Sequence, residues 1–119
     1  MSDIEKRVSE LDAMTAKGEM LDALPAFYCE NCTFTEVAGG ASRSNRQAQH
    51  EHLSSFFSTL KGFNGATLHS SAVSGDVSHS EWTFDMTAGD GSSIVWNEVL
   101  VRRWSDGKVV EEKFYNASA

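Results

Sequence analysis

The sequence predicts an α+β domain: three N-terminal helices packed on a curved antiparallel sheet that wraps around them as a cone. Three observations carry this. Apolar residues in the first half recur at helical spacings; those in the second half alternate with polar ones; and the second half is punctuated by "SGD", "AGDG" and "SDGK", which carry the Gly and Asp of tight hairpins. A length of 119 residues suits one domain with one core, read as 1–119, with no internal repeat or linker.

The elements follow in order. "SDIE" is a capping box in which Ser2 caps and Glu5 reaches back, and Ile4, Val8 and Leu11 form one apolar stripe behind it. Gly18 breaks the pattern. A second helix is expected through "EMLDALPAFYCEN", with Met20 or Leu21, Leu24, Phe27 and Tyr28 as its apolar face, and with Pro25 kinking it or shifting its start. "CTFTEV" reads as a short strand with Phe34 and Glu36 on one face, and "AGGASRS" as a loop. Ser44 with Gln47 forms a second capping box, opening a third helix to about Leu60 whose buried stripe is Gln49, His52, Leu53, Phe56, Phe57 and Leu60.

Four β segments follow, at about 65–74, 77–88, 92–104 and 108–116. Trp82, Phe84 and Met86 alternate with Glu81, Thr83, Asp85 and Thr87, so this sheet has one apolar and one polar face. The third segment is ambiguous: Trp96, Glu98, Leu100 and Trp104 share one parity, and Val95, Val99 and Val101 the other. Either Glu98 points inward, near aromatic walls and within reach of Glu36 or Arg102, or it points outward at a dimer surface.

A net charge of −7 argues against nucleic acid and against an anionic membrane surface. No apolar run approaches a membrane span, and "MSDIEKRVSE" lacks the apolar core of a signal peptide, so a soluble cytoplasmic protein is expected. Cys29 and Cys32 in "CENC" have no second cysteine pair to complete a zinc site, and read as two ordinary thiols at a helix-to-strand junction. No metal site is expected: His50 and His52 flank Glu51 but do not share a helix face, and H-E-x-x-H is absent. No cofactor is implied either, since neither a G-x-G-x-x-G nor a P-loop is present.

Three stretches, in this order and spacing, resemble the NTF2-like superfamily and, within it, the SnoaL-like and ketosteroid-isomerase-like groups. They are "AKGEMLDALPAFYCENCTFTEV", "NRQAQHEHLSSFFSTL" and "LVRRWSDGKVVEEKFYNA". The resemblance covers nearly the whole chain and implies the cone fold, an apolar pocket at its open end, and a homodimer through the outer sheet face. It implies no single activity, because this fold hosts enzymes and binding proteins alike.

In ketosteroid isomerases the general base is an acid at the end of the first strand, and Glu36 occupies the matching place. A carboxylate in an apolar cavity has its pKa raised, which suits a base that removes a proton beside a carbonyl. The oxyanion donors of those enzymes do not carry over. The first-helix tyrosine falls at Leu11 and the penultimate-strand aspartate at Val99 or Leu100, with Glu98 the nearest acid. The aspartate of SnoaL-like cyclases falls at Leu100 as well. Glu36 is therefore the candidate base and Glu98 a second candidate. Tyr28, Phe34, Trp82 and Trp96 are the expected pocket wall, joined by Phe56, Phe114, His52 and His69.

The expected function is binding of a small hydrophobic molecule, or isomerase- or cyclase-like acid–base chemistry on one, without a cofactor. The alternative is a dimeric interaction module whose pocket is filled by side chains.

Overall fold

The computed structural model describes residues 3–116. Three helices and six strands make an α+β fold: α1 (Asp3–Ala16), α2 (Met20–Phe27), β1 (Tyr28–Glu36), β2 (Ser42–Arg43), α3 (Arg46–Ser58), β3 (Leu60–Ser74), β4 (Val77–Ala88), β5 (Ser93–Ser105) and β6 (Lys108–Asn116).

α1 buries Val8 and Leu11 as its stripe predicts; Ser2 of the expected capping box lies outside the described residues. The break at Gly18 has two causes. Its φ is +76°, in the left-handed region, and a Cβ there would stand 2.8 Å from the Phe63 ring. α2 is shorter than expected and tolerates Pro25 two residues before its end. Its last carbonyls, which no helical N–H can reach, are held by cations: Arg7 donates to Ala26 O, and Lys108 donates to Pro25 O and Ala26 O.

From Tyr28 the backbone is extended, because Tyr28–Glu36 pairs along β6 from Val109 to Phe114. Cys29 and Cys32 thus lie early in the strand, just past the helix-to-strand junction, both as free thiols. Cys32 is fully buried, and burial together with nearby Glu112 pushes its thiol well above the ordinary range, so it is not a nucleophile. α3 starts one residue later than the Ser44–Gln47 box suggests. Asn45 is its cap, accepting a 2.7 Å bond from the Ala48 N–H. Of its expected stripe only Gln49 is fully buried, Leu53, Phe56 and Phe57 are half-buried, and His52 is exposed.

The sheet runs β2-β1-β6-β5-β4-β3 and is mixed, which corrects the antiparallel expectation. β3 to β6 form the predicted meander, but the chain returns beside its own first strand, and β1 and β6 run parallel. β2, within the stretch read as a loop, adds a two-residue edge opposite Phe34 and Thr35. Three register shifts along β3 bend it against β4 and curve the sheet.

The pairing settles the phase of β5. Trp82 lies opposite Glu98, Phe84 opposite Trp96, and Ser80 opposite Leu100, and directly opposed residues share a face. Trp96, Glu98, Leu100, Arg102 and Trp104 therefore point inward with the buried face of β4, while Val95 is 48% exposed on the other side. Two apolar clusters fill the interior. One joins α1, α2, β1 and β6 around Leu11, Phe27, Phe34 and Val109; the other lies on β4 and β5 around Trp82, Phe84 and Leu100; Phe114 packs against both.

Candidate functional site

Between the helices and the inner face of the sheet lies a cavity of about 350 Å³. α2 supplies Met20, Ala23 and Leu24; α3 supplies Leu53, Phe56 and Phe57; the sheet supplies Phe84, Met86, Trp96, Leu100 and Phe114. Phe56 and Trp96 stack, with ring centroids 5.0 Å apart. The volume is that of a small-ligand pocket, and the wall is mostly apolar with a few polar groups.

Most of those polar groups fall into three sets, with Thr15 and His52 beside them. The first is buried and fully paired. Arg102 on β5 donates from Nε to Glu112 Oε2 at 2.6 Å and from Nη1 to Asp12 Oδ1 at 3.1 Å. The Tyr28 hydroxyl donates to the same Glu112 oxygen at 2.9 Å, and Ser71 donates to Asp12 at 3.1 Å. Burial raises the Asp12 carboxyl although Arg102 opposes the shift. Burial also raises the Tyr28 hydroxyl, and Glu112 adds to this, so Tyr28 stays a donor. For Arg102, burial acts to remove the charge, but Tyr28, Glu112 and Asp12 outweigh it and hold the guanidinium charged.

The second set is at the rim. Arg43 on β2 donates to Glu36 Oε2 at 2.7 Å and to Gln49 Oε1 on α3. The short edge strand thus holds a cation over the candidate base.

The third is Glu98 alone. Among the described residues no hydrogen bond or ion pair holds its carboxyl. Burial raises it to about 7, and the negative charges of Glu112 and Glu36 add to the shift. It is an unpaired, shielded carboxyl on an apolar wall, close to half-ionised at neutral pH.

The cavity brings together Tyr28, Glu36, His52, Phe56, Trp96, Glu98 and Phe114 from among the expected site residues. Three others lie elsewhere. Phe34 is fully buried beneath the wall, stacked on Tyr28 at 5.5 Å, because it belongs to the core cluster formed with α1 and α2. Trp82 is likewise fully buried, stacked on Phe84 at 5.6 Å. His69 is exposed on β3 and bonds the Thr83 hydroxyl at 2.7 Å, on the face that Trp82 and Phe84 do not share. Sequence reasoning did not assign Asp12 or Arg43 to the site. It named Arg102 as a partner for Glu98, whereas Arg102 is taken by Glu112 and Asp12. Among the described residues there is no cluster of three or more His, Cys, Asp or Glu able to hold a metal, and no helix is long and apolar enough to cross a membrane.

A family model described as the SnoaL-like domain matches residues 9–112. The chain belongs to the SnoaL-like domain family. A candidate SnoaL-like polyketide cyclase from Mesorhizobium loti is similar in structure, with a TM-score of 0.81 at 20% identity over 97% of this chain and 99% of that one. An NTF2-like protein of unknown function, also from Mesorhizobium loti, is 25% identical over 98% of this chain and 92% of its own, with a TM-score of 0.74. A protein of ketosteroid isomerase-like fold from Catenulispora acidiphila, solved in complex with trimethylamine, has a TM-score of 0.70 at 14% identity over 80% of this chain and 73% of that one. A search of curated proteins gives no match. These likenesses place this SnoaL-like chain in the NTF2-like fold. At such identities they carry no ligand and no reaction with them.

Proposed function

We propose that this SnoaL-like protein binds a small, largely apolar molecule in the cavity, its one polar end at Glu98, and that Glu98 rather than Glu36 is the group able to move a proton. The observation that carries this is the unpaired Glu98 carboxyl on an otherwise apolar wall. A carboxyl near half-ionisation can both give and take a proton at neutral pH, which is the condition for general acid–base work. Glu36 is committed to Arg43 and its side chain is 44% exposed, so it suits orientation and charge balance at the mouth. The buried Arg102–Glu112–Asp12–Tyr28 network fixes the back wall. A cone-shaped shell, its helices packed on the curved sheet, fits a cavity between the two. The aromatics leave a cavity of about 350 Å³ between them, which favours a ligand site over a filled module.

The outward residues of β5 and β6 support a homodimer: Val95 is 48% and Tyr115 41% exposed, and Val99 and Val101 are half-buried. The test is a native mass spectrum of the protein as purified, without added ligand. The expected result is a dimer carrying an extra small mass that leaves on denaturation. A bare chain in every preparation would count against an occupied cavity, and a monomer against the dimer.

A further inference from the structure

The hydrogen-bond inventory of the cavity is lopsided. The Tyr28 hydroxyl is spent on Glu112, and the Thr15 hydroxyl on the Leu11 carbonyl. Arg102 is held by Glu112 and Asp12, and Arg43 by Glu36 and Gln49. The charged group left open is an acceptor, Glu98; the His52 ring and the Trp96 indole N–H stand on the same wall. Charge is unbalanced in the same sense: Glu36, Glu98 and Glu112 line the cavity against Arg43 and Arg102, and Asp12 draws on Arg102 from behind. The stacked Phe56 and Trp96 add aromatic faces, which attract cations.

We propose that the molecule bound is a hydrophobic amine, its body against Phe56 and Trp96 and its ammonium donating to the Glu98 carboxylate. This rests on the reading of the cavity as a ligand site. An ammonium pairs the one carboxylate left without a cation and offsets the excess of carboxylates. An anionic ligand would add to that excess. A neutral ligand that accepts a hydrogen bond would need Glu98 protonated, so its affinity would change with pH in the opposite direction.

The pH dependence has several contributors facing Glu98. Glu36 and Tyr28 come from β1, Arg43 from β2, His52 from α3, Arg102 from β5, Glu112 from β6, and Asp12 from α1 lies behind. All are common to wild type and Glu98→Gln, so the difference between the two proteins reports Glu98. The carboxyl's shift to about 7 places its ionisation between the two test conditions.

The test is calorimetric titration with 2-phenylethylamine, 2-phenylethanol and 3-phenylpropionate at about pH 6 and about pH 8, where the amine stays protonated as a lysine does. The amine is expected to bind most tightly at the higher pH. Its affinity should rise about tenfold between the two, as Glu98 goes from about one-tenth to about nine-tenths ionised. Glu98→Gln should abolish that rise. If the variant does not fold, the sign of the wild-type slope decides alone. Tighter binding of the alcohol or the carboxylate at the higher pH, or an amine affinity that is flat or falls, overturns the amine and leaves the ligand site standing. Binding of none of the three overturns both.

Discussion

Replacing Glu98 by Gln should stabilise the protein at alkaline pH and leave it unchanged at acidic pH. The folded carboxyl titrates near 7 and the ordinary value is 4.5. Between these values the folded state keeps a proton that the unfolded chain has released, so wild-type stability falls as pH rises through about 7. Below about pH 4.5 Glu98 is neutral in both states and costs nothing; above about pH 8 the folded state must hold an unpaired, shielded carboxylate. At about 1.4 kcal/mol per pKa unit, the shift corresponds to about 3 kcal/mol. Glutamine has the same shape and no charge, so the variant escapes this cost. Urea denaturation of both proteins from about pH 4.5 to about pH 8.5 would measure it, with unchanged slopes confirming that the unfolding transition is the same. The stability difference should grow from near zero to about 3 kcal/mol in favour of Glu98→Gln. A difference that does not vary with pH would refute the placement of Glu98 on a shielded wall.

Other outcomes follow from the same packing. Arg102→Leu leaves Glu112 and Asp12 buried without their cation and should cost about 3–5 kcal/mol in a urea melt; a loss under about 1 kcal/mol would show that the network is not shielded as described. Tyr28→Phe removes only the hydroxyl bonded to Glu112, and should cost about 1–2 kcal/mol by the same assay. Gly18→Ala forces a left-handed φ and drives a Cβ to 2.8 Å from the Phe63 ring, so a loss of about 1–3 kcal/mol is expected; no loss would mean the α1–α2 turn relaxes freely. Asn45→Ala removes the α3 cap and should cost about 1 kcal/mol, seen as a lower midpoint of thermal unfolding.

Much of the fold was legible because its signals are local. The alternation of Trp82, Phe84 and Met86 and the Gly–Asp turns placed β4 and β6 at the bounds read from sequence and β5 within one residue, whereas β3 starts at Leu60, five residues earlier than expected. The parallel pairing of β1 with β6 was not legible, since it joins the two ends of the chain and no turn announces it. The same pairing drew Tyr28–Asn31 out of the expected helix, a tertiary override of local propensity.

The phase of β5 had a readable signal. Once the "AGDG" turn pairs Thr87 with Ser93, every later pair is fixed, and Glu98 must sit opposite Trp82 on the buried face. The fate of Glu112 had none. A register shift beyond Trp104–Val109 skips one residue of β6, and it is this skip that sets Glu112 beside Arg102. Asp12 was hidden for a different reason: a carboxylate on a helix otherwise rich in charge reads as solvated until its buried partner is known.

The central claim, that the inner cavity takes a small apolar molecule, is tested most directly by filling it. Met20 on α2 is half-buried on the cavity wall, and Met20→Trp would occupy the space while keeping an apolar contact. Titrating an environment-sensitive apolar dye into wild type and Met20→Trp, with circular dichroism to show that both are folded, separates the cavity from the outer sheet face. The account predicts saturable binding of one dye per chain to wild type and its loss in the variant. Equal binding to both folded proteins would put the dye on another surface and contradict the claim.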